Sequence, residues 1–309
     1  MGILLDRLTE YSQSDFYPYH MPGHKRNPAG TLPGEWTSRD ITEIEGFDNL
    51  HDATGILQQM QEKAATAYGA EESFYLVNGS TCGILSAISA AVPFGGELLI
   101  TRNCHKSVYH GAYLRHLSLH YLYPDMLEEY DICEAITAKQ VEEALEAHPG
   151  VAAVLIVSPT YEGRIADVRA IAEVVHEKGL LLIVDEAHGA HLGFSPDFAQ
   201  NSARLGADIV INSVHKTLPA MTQTALLHVN GELIDRQALR RYLRIYQTSS
   251  PSYVLMSSIE EAVDMVGEES AFEEFVIHWR ELLTRLSELK NLRILPNSFE
   301  ECRKKKQDI

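Results

Sequence analysis

From about residue 55 to 230 the chain alternates short apolar runs with stretches of helical period. The runs are SFYLV (73–77), ELLIT (97–101), LHYLY (119–123), AAVLIV (152–157), LLLIVD (180–185), ADIVIN (207–212) and TALLHV (224–229). Between them, ITAKQVEEALEAH (136–148) and DVRAIAEVVHEKG (167–179) keep their apolar residues to one helical face, and the second ends in a glycine placed to close a helix. Strands that are apolar along their whole length need cover on both faces, and helical crossovers supply it. The pattern therefore predicts an α/β domain with a mainly parallel seven-stranded sheet. In such a sheet the loops leaving the strands collect at one edge, where ligands bind.

The flanks break this rhythm. Four prolines and three glycines lie between Pro18 and Trp36, so residues 1–50 are expected to form an extended arm. Residues 267–289 read as one long charged helix, followed by NLRIL and the polar end ECRKKKQDI, whose basic cluster is expected to be a solvated tail.

Composition narrows the class. At 309 residues, 45% hydrophobic and 22% charged, the chain is ordinary globular material long enough for a sizeable core, which excludes disordered and collagen-like classes. Lys+Arg 26 against Asp+Glu 43 gives a net charge of −17, which argues against nucleic acid and against an anionic membrane surface as partner. A small molecule is the expected ligand. The longest purely apolar run, Val151 to Val157, is far short of the roughly 20 residues that cross a bilayer. Cys82, Cys104, Cys133 and Cys302 form no CxxC pair, and the opening residues lack the order of a signal peptide, so reduced thiols and a cytoplasmic location are expected.

Several familiar letter strings fail on chemistry. DEAH at 185–188 spells a helicase box, but that reaction needs a phosphate-cradling loop ending in Gly-Lys, and the chain has no Gly-Lys pair. GxGxxG, GxSxG and HExxH are absent too. His188 and His191 stand three apart, yet no further ligand follows in a recognisable spacing, and no metal is assigned.

Four polar clusters each follow an expected strand. Asn78-Gly79-Ser80-Thr81 precedes a helix, and a glycine turn, two hydroxyls and a helix N-terminus suit a phosphate; a plain N-cap is the competing reading. His105, in Arg102-Asn103-Cys104-His105-Lys106-Ser107, places an imidazole where it can lie flat on an aromatic ligand. Asp185 ends a strand of aliphatics, where a carboxylate needs a cation or donors. Ser213-Val214-His215-Lys216-Thr217 carries a lysine out of an apolar strand, and partial desolvation makes its amine a nucleophile. Ser158-Pro159-Thr160-Tyr161 adds hydroxyls at the same edge. Together these describe a pocket for pyridoxal 5′-phosphate (PLP), with lysine on the aldehyde and aspartate on the ring nitrogen.

Eight segments, in order, carry a resemblance: HMPGHKRNP, DNLHDATGIL, LVNGSTCGILSAI, RNCHKSVYHGAYL, SPTYEGRIADV, IVDEAHGAHLGF, SVHKTLPAMTQTALLHV and TSSPSYVLMSSIE. From about residue 17 to 260 the chain resembles the Orn/Lys/Arg decarboxylases, PLP enzymes of fold type I. The resemblance implies decarboxylation of lysine, arginine or ornithine to the amine and carbon dioxide, the alternatives being another fold-type I reaction or an inactive assembly relative. It implies Lys216 as the Schiff-base lysine, with Lys106 its rival, Asp185 as the pyridinium partner and His105 as the stacking residue. Ser80, Thr81 and Ser213 are implied phosphate ligands, His188 and His215 pocket histidines, and Thr160 a neighbour of the ring's phenolic oxygen. Candidate partners for the substrate's distal cation are Glu162, Glu186, or a residue of the C-terminal domain or of the partner chain. A homodimer or higher homo-oligomer is implied, with the arm and TSSPSY reaching the neighbouring site. The implied organisation is an arm (1–50), a PLP-binding large domain (51–265) and, over 266–309, a linking helix and the start of a shortened C-terminal domain.

Overall fold

The computed structural model describes residues 2–27, 34–286 and 288–291. Residues 28–33 of the expected arm, Cys302 and the basic cluster at 303–306 lie outside the described residues, as does the expected start of a further domain beyond 291.

The chain opens with α1 (Ile3–Gln13), α2 (Gly34–Arg39) and α3 (Ile56–Tyr68), and then alternates. In order come β1 (Glu72–Leu76), α4 (Gly79–Ala91), β2 (Glu97–Thr101), α5 (Lys106–Arg115) and β3 (Ser118–Leu122). A small hairpin, β4 (Met126–Leu127) with β5 (Ile132–Cys133), leads to α6 (Ala138–Ala147), β6 (Val151–Val157), α7 (Val168–Glu177) and β7 (Leu181–Asp185). The remainder is β8 (Ile209–Asn212), the four-residue α8 (Val214–Thr217), β9 (Ala225–Val229), α9 (Arg236–Tyr246), α10 (Tyr253–Val266) and α11 (Glu273–Leu286).

Seven strands form one sheet in the order β1-β9-β8-β7-β6-β2-β3. Every pair from β8 to β3 is parallel, while β9 runs antiparallel to both its neighbours. These are the seven runs read from the sequence. Their continuous hydrophobicity follows from burial on both faces, since consecutive strand residues point to opposite sides. Leu98, Ile100, Leu155 and Ile183 pack under α4, α5 and α9, while Leu99, Val154, Leu182 and Val184 meet α6 and α7. The amphipathic segments became helices with the expected ends: Thr137 and Gln140 form a capping box on α6, and Gly179 closes α7 at φ +68°.

The start of the chain differs from expectation. Residues 3–13 are helical, not extended, because Leu4 and Leu8 stack on one face and are fully buried against α3 and α10. The N-terminal amides of α1 are capped by a distant carboxylate, Glu260, whose oxygens accept from Ile3 N–H (2.7 Å) and Leu4 N–H (3.0 Å). A cap 257 positions away is invisible to a local reading. The expected helix at 267–289 begins later, at Glu273, with Val276 and Leu283 as its buried stripe.

Candidate active site

The parallel arrangement brings the C-terminal ends of β2, β6, β7 and β8, together with the start of β9, to one edge. Each strand hands its chain directly to a polar loop there. His105 follows β2, Thr160 follows β6, His188 follows β7, and Ser213 to Lys216 follow β8.

Asp185 is the last residue of β7 and is 4% exposed. Its Oδ1 accepts from Ala187 N–H at 3.2 Å. Burial raises its pKa from the ordinary carboxylate range to about 6, against the pull of the Ala187 bond and of the Lys216 charge. Lys216 sits in α8, exposed on one side in the single chain, and its Nζ donates to His188 Nε2 at 3.1 Å. That bond requires His188 to carry its proton on Nδ1. Partial burial lowers the Lys216 pKa, with Asp185 opposing. His105 and His188 are lowered as well, first by burial and next by the Lys216 charge, so both are biased to neutral imidazole. Lys216, Asp185, His188 and His105 therefore form one electrostatic cluster. Lys106 opens α5 directly after His105 and is exposed.

The hydroxyl group lies alongside. Ser213 is fully buried, and its Oγ donates to Ser80 Oγ at 2.9 Å. Ser80 and Thr81 occupy the first turn of α4, whose N-cap residue is Asn78 and whose N-terminus has no side-chain cap. Asn78 Oδ1 instead accepts from Thr248 N–H at 3.0 Å, which ties the TSSPSY segment to this loop. Gly79 takes φ +74°, and a Cβ there would find no atom within 4 Å: the helix end faces open space. Uncapped amides, two hydroxyls and this free volume fit a phosphate. A buried aspartate with one backbone donor fits a cationic ring nitrogen. The residues present thus suit PLP.

Two expected site residues are held by backbone groups. His215 Nδ1 donates to the Thr224 carbonyl at 2.8 Å, and Thr160 Oγ1 accepts from Arg164 N–H at 3.2 Å. His105 is the N-cap of α5, its Nδ1 accepting from Ser107 Oγ at 2.8 Å, which fixes the ring's orientation. Glu186 is corrected: it is 1% exposed, it accepts from Asn212 Nδ2 (3.1 Å), Ser202 N–H (2.8 Å) and Ser202 Oγ, and it is no partner for a substrate cation. Glu162 is exposed. Residue-by-residue reading missed Asn212 and Ser202, whose sole sequence signal is a polar side chain at the end of an apolar strand or in a small-residue loop.

This architecture, with a helix N-terminus, an aspartate and a lysine at one sheet edge, is that of the fold-type I PLP enzymes. Residues 3–301 match the family model described as Orn/Lys/Arg decarboxylase, major domain, and the chain belongs to that family. It is 36% identical over 296 residues to the uncharacterized protein YaaO of Bacillus subtilis, covering 94% of this chain and 60% of that one. It is 34% identical over 251 residues to a Bacillus subtilis arginine decarboxylase, covering 79% and 51% respectively. The solved constitutive lysine decarboxylase of Escherichia coli superposes with a TM-score of 0.80 at 25% identity, over 94% of this chain and 45% of that one. The chain thus spans roughly half the length of the relatives it matches. No helix among the described residues is long and apolar enough to cross a membrane.

Proposed function

We propose that this chain holds PLP at Lys216 and serves the decarboxylation of a basic amino acid, lysine, arginine or ornithine, to the corresponding amine and carbon dioxide. The observation that carries the reading is the 3.1 Å Lys216–His188 bond beside the buried Asp185. When bound, the cofactor supplies an electron-poor ring that accepts the electron pair released as the Cα–carboxylate bond breaks. Asp185 would pair with the protonated ring nitrogen, and that cation would offset the cost of its burial. The Lys216 amine, made nucleophilic by partial burial, is the covalent anchor, and His188 exchanges protons with it through the Nε2 bond. His105, oriented by Ser107, would stack on the cofactor ring. Ser80, Thr81, Ser213 and the α4 amides would hold the phosphate, and Thr160 would contribute a hydroxyl to the cofactor pocket. His215, its Nδ1 committed to Thr224, offers Nε2 for proton transfer.

Two copies of the chain complete the site. Lys216 and His105 are both exposed in the single chain, and Phe16 (68%), Tyr17 (67%) and Tyr19 (89%) project unburied from the arm. A monomer in sedimentation velocity contradicts this part. By domain organisation, residues 51–265 are the PLP-binding unit, 1–50 the arm, and 266 onward the link to a smaller domain. The test of function is product analysis with PLP and each amino acid: an amine plus carbon dioxide is expected, and a keto acid instead would assign a transaminase.

A further inference from the structure

Glu186 is a buried acid that the chemistry above does not use. Its Oε2 receives both the amide and the hydroxyl of Ser202, and its Oε1 receives Asn212 Nδ2. Asn212 Nδ2 also donates to the Glu186 carbonyl at 3.0 Å, and the Glu186 amide donates to the Ile211 carbonyl at 3.0 Å. The other end of the Asn212 amide, Oδ1, is buried with no partner among the described residues. The Asn212 backbone is set by its pairing with Leu226 of β9, but among the described residues its side chain is held through Nδ2 by Glu186, and it is the residue that immediately precedes the Ser213–Lys216 turn. On its other side Glu186 packs against Gly189, where a Cβ would stand 2.6 Å from Glu186 Cγ, so the loop carrying His188 is fitted around the same side chain.

Burying an acid of this kind is costly, and an apolar residue would satisfy packing alone. What the carboxylate adds is an acceptor on each oxygen: one takes Asn212 at the end of β8, and the other takes both donors of Ser202 in the loop that leads to it. We infer that Glu186 is a positioning residue that fastens Asn212, and through it the Ser213–Lys216 turn, in register with Asp185 and His188. The inference rests on the assignment of Lys216 as the cofactor anchor. It predicts that shape without acceptors fails: in Glu186→Gln the amide NH2 must face either the Ser202 donors or the Asn212 donor, and one contact becomes donor against donor.

The test combines Glu186→Gln, Asn212→Ala and the double variant in the full chain. PLP affinity by absorbance titration is expected to weaken about tenfold in each single variant, the scale of one buried donor left unpaired, with a displaced absorption band for the bound cofactor. Because one residue acts through the other, the double variant is expected to lose no more than the worse single. Hydrogen exchange of the 213–218 amides in the cofactor-free chain is expected to quicken in both single variants. Losses that add, or wild-type affinity and band position in a folded Glu186→Gln, would overturn the inference. Should Glu186→Gln fail to fold, Asn212→Ala decides alone: unchanged exchange over 213–218 overturns the inference. Failure of the wild-type chain to take up PLP would count against the cofactor assignment instead, while the exchange readout still judges Glu186.

Discussion

Two charged regions of the molecule look alike in composition and differ in how their charges are spent. One is a cleft of about 390 Å³ bordered by Asp52, Glu71, Glu72, Arg240 and Arg244. There Arg236 meets Glu71 and Glu72, Arg240 meets Glu72, and Arg244 stands 3.8 Å from Asp52. The cations and anions neutralise one another. At the strand-end cluster they do not: Lys216 is bonded to an imidazole and not to a carboxylate, and Asp185 is buried with one backbone donor. Paired charges have nothing left for a ligand, whereas an under-paired buried acid near a lysine is poised for one. What separates the two regions is how their charges are paired.

The sharpest way to break the comparison is Asp185→Ala. With no anion at the ring nitrogen, kcat/KM is expected to fall about 10²- to 10³-fold, the usual scale for one preorganised electrostatic group, and a wild-type rate with basic amino acids would sink the role. Next, Ser80→Ala, which would remove a proposed phosphate ligand, is expected to weaken PLP binding about tenfold, as for a charge-assisted hydrogen bond, and to lower the thermal midpoint slightly, because the buried Ser213 hydroxyl loses its acceptor.

The third prediction concerns pH. Burial raises Asp185 to about 6, so the native chain keeps a proton there that the unfolded chain has released. The stability this contributes is fully present below the ordinary carboxylate range and is lost as pH rises through about 6. Denaturant midpoints of the cofactor-free chain, compared with Asp185→Asn from pH 4 to 8, are expected to fall more steeply in the wild type. Parallel profiles would contradict the buried, proton-holding acid. The smallest effect belongs to the cleft: Arg240→Ala is expected to cost about 1 kcal/mol or less with unchanged PLP affinity, and a loss of cofactor binding there would erase the distinction between the two regions.

Much of this was legible in the sequence because it is local. The inner strands announced themselves by runs buried on both faces, the edge strand β3 by a weaker run that stays partly exposed, and each site loop by a polar cluster directly after a strand. Long-range partners left no trace. Helix α1 was read as arm because the prolines and glycines after it dominate the segment, while the carboxylate that caps it comes from Glu260. Glu186 looked like a free acid beside Asp185, but Ser202 and Asn212, 16 and 26 positions away, consume it. Thr160 and His215 were correctly put at the sheet edge, although nothing in their neighbours announced that backbone groups at Arg164 and Thr224 would hold them.

The central claim is that one amine, on Lys216, anchors the cofactor beside Asp185. Borohydride reduction of the chain incubated with PLP, followed by peptide mapping, tests it most directly. The label is expected on Lys216 and is expected to vanish in Lys216→Ala. Label on Lys106, or label that persists in that variant, would contradict the account.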